Sequence, residues 1–142
     1  MKAVRKSFVI LGLGLVALTG CVGARADEKI HFLQQNQTDG SQMEALWEGK
    51  LVVSERCLRV QDIRTSYAVI WPLEFDFSTL SGKVDILDGD DQVVAQVGDQ
   101  VRVSGGELPG ISPEEIEQLA PGGSRCSDPY WLAGYEVVVL TP

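Results

Sequence analysis

From Ala45 onward, apolar and polar residues alternate in short runs. Valine, isoleucine and aromatic residues cluster over four to seven positions and are broken by stretches holding Gly or Asp, the pattern of an all-β domain. Val84 and Ile86 alternate with Lys83 and Asp85, and Val101 and Val103 flank Arg102, a period of two that puts one face inward. The spacing predicts strands over Gly49–Ser54, Cys57–Gln61, Ser66–Trp71, Gly82–Leu87, Gln92–Val97, Gln100–Val103 and Tyr135–Leu140. Asp88-Gly89-Asp90-Asp91 suits a hairpin turn, because Gly and Asp tolerate positive φ, and Gly98-Asp99 marks a second one. One helix is predicted after Ser112, an N-cap residue followed by Pro113, Glu114 and Glu115 in the first turn. Ile116 and Leu119 would face inward, and Pro121-Gly122-Gly123 would end it.

The pattern before Ala45 differs. Residues 21–44 read as a linker, since Gln34-Gln35-Asn36-Gln37 and the residues up to Gln42 show no apolar period. A flexible coil of that length would span roughly 25 Å on average. His31 and Phe32 interrupt it with no stated docking place.

Earlier still, Met1–Ser7 carries Lys2, Arg5 and Lys6, and Phe8–Leu18 is an apolar run too short to span a bilayer. Residues 1–20 therefore read as an export signal. Its end, Leu18-Thr19-Gly20-Cys21, resembles the lipobox of bacterial lipoproteins. The resemblance implies that the Cys21 thiol receives a diacylglycerol and becomes the mature N-terminus. It covers the signal alone. In that family an Asp after the cysteine marks inner-membrane retention; Val22 stands there, which implies the periplasmic face of the outer membrane in a Gram-negative source. Two acyl chains give stable membrane attachment. Ala24-Arg25-Ala26 offers the alternative of ordinary cleavage before Asp27, giving a soluble secreted or periplasmic protein.

Charge narrows the partners. The chain holds 12 basic and 20 acidic residues. Without residues 1–20 and their three cations the formal balance is -11. Nucleic-acid binders cluster Lys and Arg to neutralise phosphates; here most of the cations are scattered among acids, which excludes a general nucleic-acid role. The same charge keeps the domain as a whole off anionic headgroups.

Residues 45–142 form a single predicted domain: a small OB-like barrel, closed or nearly closed, with one inserted short helix, or alternatively a small β-sandwich. The run from Gly49 to Gly106, with Cys57-Leu58, Ile70-Trp71-Pro72, Gly82-Lys83-Val84 and Val97-Gly98-Asp99, is similar to a recurring type of exported bacterial protein, and implies architecture only. Cys57 and Cys126 remain in the domain after either cleavage. In an oxidising compartment such a pair reads as a disulfide, closing a loop of about 70 residues and contributing roughly 4 kcal/mol.

Catalytic chemistry finds little footing. The chain has one histidine, His31, so triads that rely on a histidine base lack one in the domain. No Cys-x-x-Cys or metal-ligand spacing occurs, and no cofactor is called for. Glu74 and Asp76 are a carboxylate pair without an evident substrate site, and Asp85, Asp88, Asp90 and Asp91 do not follow the calcium-loop register. Trp71, Phe75 and Phe77, with Tyr130 and Trp131, fall in or beside predicted connections. They are either a platform for a partner or plugs for the ends of a small barrel. The expectation is a non-enzymatic envelope lipoprotein that binds another envelope protein. The alternative is a module for cell-wall saccharide or a small apolar ligand.

Overall fold

The computed structural model describes residues 29–37 and 43–141. The expected export signal at residues 1–20, the expected lipidation site Cys21 and the middle of the expected linker lie outside the described residues. The strands are β1 Leu33–Gln34, β2 Ala45–Ser54, β3 Cys57–Gln61, β4 Ser66–Trp71, β5 Asp76–Ser78, β6 Asp85–Leu87, β7 Val93–Gln96, β8 Gln100–Glu107 and β9 Tyr130–Val139. Among the described residues one α-helix, α1, covers Pro113–Leu119, followed by a 3-10 turn at Gly123–Arg125.

The fold is all-β with one inserted helix. In the larger sheet the order β4-β3-β2-β8-β9 returns to β4, so five strands close into a ring and β1 joins it at β4. All pairings around the ring are antiparallel except β4 with β9, where Ala68, Val69 and Ile70 face Tyr130, Trp131 and Leu132 in parallel. A ring leaves few strand edges unpaired. β5, β6 and β7 form a separate antiparallel meander between β4 and β8.

β4 shows how sequence sets these layers. Its run Ser-Tyr-Ala-Val-Ile-Trp is nearly all apolar because both faces are buried. Tyr67, Val69 and Trp71 enter the ring's core with Leu51, Val60, Phe75, Ile86, Val101, Val103 and Trp131. Ala68 and Ile70 point the other way, into a second cluster with Leu33, Ile116, Ala120, Tyr130, Leu132 and the two cysteines. β9 divides likewise, Trp131 and Ala133 inside and Tyr130 and Leu132 outside.

The helix begins where expected. Ser112 Oγ accepts from the Glu115 N–H (3.2 Å) and the Glu115 carboxylate accepts from the Ser112 N–H (2.8 Å), a reciprocal capping box. Ile116 is its buried residue.

Three expectations need correction. The strand expected over Gln100–Val103 does not stop at Val103 but runs on to Glu107 as β8. Gly105, at φ +139°, sits where a Cβ would lie 1.9 Å from the Leu132 carbonyl oxygen, so glycine permits β8 to run on against β9. Pro129-Tyr130-Trp131 is not simply a connection, for β9 starts at Tyr130. Part of the linker is structured: the His31 N–H donates to the Arg56 carbonyl (2.7 Å), and Leu33 and Gln34 pair with Ile70 and Trp71. Gln35 is buried and its amide donates to the Ala133 carbonyl (3.0 Å), so a polar run finds backbone partners where no apolar period exists.

Candidate functional site

The expected aromatic platform is largely interior. Trp71 is 0% exposed, Phe75 2%, Trp131 4% and Tyr130 5%; only Phe77 is half-buried. Phe77, Phe32, Trp71, Phe75 and Tyr135 follow one another with ring centroids 5.2, 6.0, 6.1 and 6.3 Å apart. Trp47, Tyr67 and Trp131 make a second aromatic group. Large rings fill the small core, in keeping with the plug alternative of the two. Trp47 and Trp131 donate their indole N–H groups to the Val60 and Ser104 carbonyls, each at 3.2 Å. Among the described residues, the Trp71 indole N–H is the one buried side-chain polar atom lacking a hydrogen-bond partner.

Cys57 and Cys126 form the expected disulfide, with Cα atoms 5.9 Å apart. The bridge ties the start of β3 to the loop after α1. Around it, buried Arg59 donates to Ser66 Oγ (2.9 Å), the Ser66 carbonyl (2.6 Å) and the Ser127 carbonyl (3.0 Å). Burial lowers its pKa, and Glu55 pulls in the opposite direction. The Tyr130 hydroxyl lies against the Gly123 and Cys126 carbonyls, and burial raises its pKa. These groups serve the fold.

The carboxylates split between neighbourhoods. Asp88 shapes the β6–β7 turn, accepting from the Asp90 and Gln92 N–H groups at 2.9 and 3.0 Å. Asp85 accepts from the Gln96 amide (2.6 Å). Among the described residues no three His, Cys, Asp or Glu side chains converge as a metal site. Glu74 accepts from the Tyr135 hydroxyl (3.1 Å), while Asp76 lines a cleft, so the pair shares no site.

Two surface features remain. The first surrounds Tyr135, 58% exposed, with Leu73 at 42%. Gly89 in the β6–β7 turn lies close enough to Glu74 that a Cβ on it would sit 3.1 Å from the Glu74 Cβ. An exposed phenol and a leucine are thus set beside Glu74 and the turn that carries Asp88, Asp90 and Asp91. The second is a cleft of about 290 Å³ between residues 29–34, Asp76–Phe77 and the Pro121–Arg125 loop. Sequence reasoning missed both. Tyr135 sat at the start of a predicted strand, and the cleft's floor was assigned to the linker.

Comparisons with protein-family models, curated proteins and solved structures find no match for this chain.

Proposed function

We propose that this is a non-enzymatic, membrane-anchored envelope lipoprotein whose β domain binds another envelope protein. Leu18-Thr19-Gly20-Cys21 supports the anchor, and the Cys57–Cys126 disulfide is consistent with an oxidising compartment. The partner surface is carried by one observation. Tyr135 stands 58% exposed, its hydroxyl held by Glu74, next to Leu73 and the acidic β6–β7 turn. Exposed tyrosines are favoured interface anchors, because a stiff side chain brings a large apolar area and a polar tip. The surrounding acids select a partner with basic residues and hasten its approach. Buried Trp71 and Trp131 weigh against stacking of a saccharide on them.

The test is capture of tagged protein from its native membrane in mild detergent, followed by mass spectrometry. A partner recovered in near-equal amount by the wild type and lost from Tyr135→Ala and Leu73→Ser supports this reading. Recovery of the lipidated chain alone, or a partner indifferent to both substitutions, overturns the surface. An intact mass without a diacylglycerol on Cys21 overturns the anchor.

A further inference from the structure

We infer that the cleft between residues 29–34, Asp76–Phe77 and the Pro121–Arg125 loop binds a phosphate group. In a chain with 20 acidic and 12 basic residues, this cleft collects Lys29, His31 and Arg125 against one acid, Asp76. Among the described residues the one ion pair is Arg102 with Glu48, on the outer face of β8 and β2. The nearby Glu117 carboxylate is engaged by the Ser124 and Gly122 N–H groups, at 3.0 and 2.9 Å.

Lys29 and His31 come from one stretch of chain and Arg125 from another, and the fold holds the two in register. His31 bridges Cys57 in parallel and donates its N–H to Arg56, while Arg125 precedes Cys126. The Cys57–Cys126 disulfide therefore fixes His31 and Arg125 relative to each other. Two cationic side chains and an imidazole, supplied by two stretches of the chain, suit a tetrahedral anion with oxygens on every side. Phe32 and Phe77, stacked at 5.2 Å, supply an apolar wall for the organic part of a phosphoester. The volume, about 290 Å³, suits a small ester or one lipid headgroup.

Placement points to where such a group is found. Lys29 follows Cys21 by eight residues, which reach at most about 28 Å when extended. With Cys21 lipidated, an assumption shared with the proposed function, the cleft opens within reach of phospholipid headgroups. The domain as a whole is acidic, so this would be a local exception to its repulsion from the bilayer.

His31 is the chain's one histidine, so its ring resonances report on the cleft alone. The full chain, purified from membrane in non-ionic detergent, is titrated with inorganic phosphate and, separately, with micelles doped with short-chain phosphatidylglycerol. The expected result is a saturable His31 shift, weakened about tenfold by Lys29→Gln with Arg125→Gln, and strengthened by Asp76→Asn. Both variants should melt as the wild type does. No saturable shift with either probe, or one that these substitutions leave unchanged, overturns the site. A response to phosphatidylglycerol alone assigns a lipid source, and an equal response to inorganic phosphate assigns a soluble one; each upholds phosphate recognition. The intact mass of the same sample reads Cys21 lipidation separately, so failure of the anchor and failure of the cleft are distinguishable.

Discussion

The two apolar clusters of this protein are assembled in different ways. Inside the ring, Leu51, Val60, Val69, Val101 and Val103 come from strands joined by short turns or by the β5–β7 meander. Outside it, Leu33, Cys57, Ile116, Ala120, Cys126 and Tyr130 converge from opposite ends of the domain onto the backs of β4 and β9. The inner cluster follows from strand alternation once the sheet closes. The outer one is a lid, and its pieces have no continuous ladder between them. A disulfide, the Arg59 bonds and the Asn36 N–H to Leu119 carbonyl bond (3.0 Å) hold it instead. Closing long loops costs chain entropy, so a lid of distant parts gains most from a covalent link.

The largest expected effect probes the inner cluster. Trp71→Ala should destabilise the protein by about 3–5 kcal/mol, the cost of emptying a large buried site. Trp71→Phe should cost clearly less, since the indole N–H it removes has no partner among the described residues. Denaturant melts of both variants check this. Equal losses would mean that the indole N–H is satisfied after all and that the ring's centre is more polar than its lining suggests.

Removing the staple comes next. Cys57→Ala with Cys126→Ala should cost about 2–4 kcal/mol, and the loss should be uneven. Hydrogen exchange should quicken at Asn36, Ile116 and Cys126, whose N–H groups bond within the lid, and at His31 and Gln35, whose N–H groups tie it to the ring, before it quickens across β2, β3 and β8. Uniform quickening would show that lid and ring unfold as one unit, and the distinction between the clusters would fail.

The same contrast explains what could be read from the sequence. β3, β4 and the start of α1 lie where alternation and capping residues put them, because local pattern and tertiary environment agree there. β1 was hidden by the glutamines at its end and just after it: Gln34 donates to the Leu73 carbonyl (3.0 Å) and Gln35 to that of Ala133, contacts that no hydrophobic period reports. β5 is three residues long and has the half-buried pattern of a loop. The disulfide was legible because two cysteines left in one small domain can pair in only one way, which needs no geometry. The cleft was not, since its cations sit on either side of more than 90 residues and meet only after the lid is built.

A smaller effect, of opposite sign, belongs to the ring. Glu55 and Arg56 join β2 to β3 with φ of +50° and +67°, a conformation that Asn and Gly adopt more readily. Replacing the pair with Asn-Gly should stabilise the protein by about 1 kcal/mol, seen as slower unfolding of the β2–β3 hairpin. A loss of stability would show that the Arg56 carbonyl, which accepts from His31, needs the present turn to hold β1, and that ring and lid are linked at this point.

The smallest effect is a response to acid, and it sets one region against the other. The Glu117 carboxylate is held below the ordinary glutamate range by the Ser124 hydroxyl first, then by the Gly122 and Ser124 N–H groups. Glu115 is lowered by its bonds to Ser112. Both belong to the lid. In the ring, Asp62 is lowered by the Thr65 and Arg64 N–H groups at the β3–β4 turn. A carboxylate whose folded pKa is depressed contributes stability above its unfolded value, and the contribution fades as pH falls through the folded one. Acid below the ordinary carboxylate range should therefore loosen α1 and the Gly123–Arg125 turn at one end and the β3–β4 tip at the other. All three groups are exposed, so the change should be small and best read as local amide exchange. Glu117→Gln should flatten the acid response around Ser124 and leave the Asp62 turn untouched, and Asp62→Asn should do the reverse. If either substitution flattened both, the two regions would be titrating as one, and the lid could no longer be treated as a separately held part of the fold.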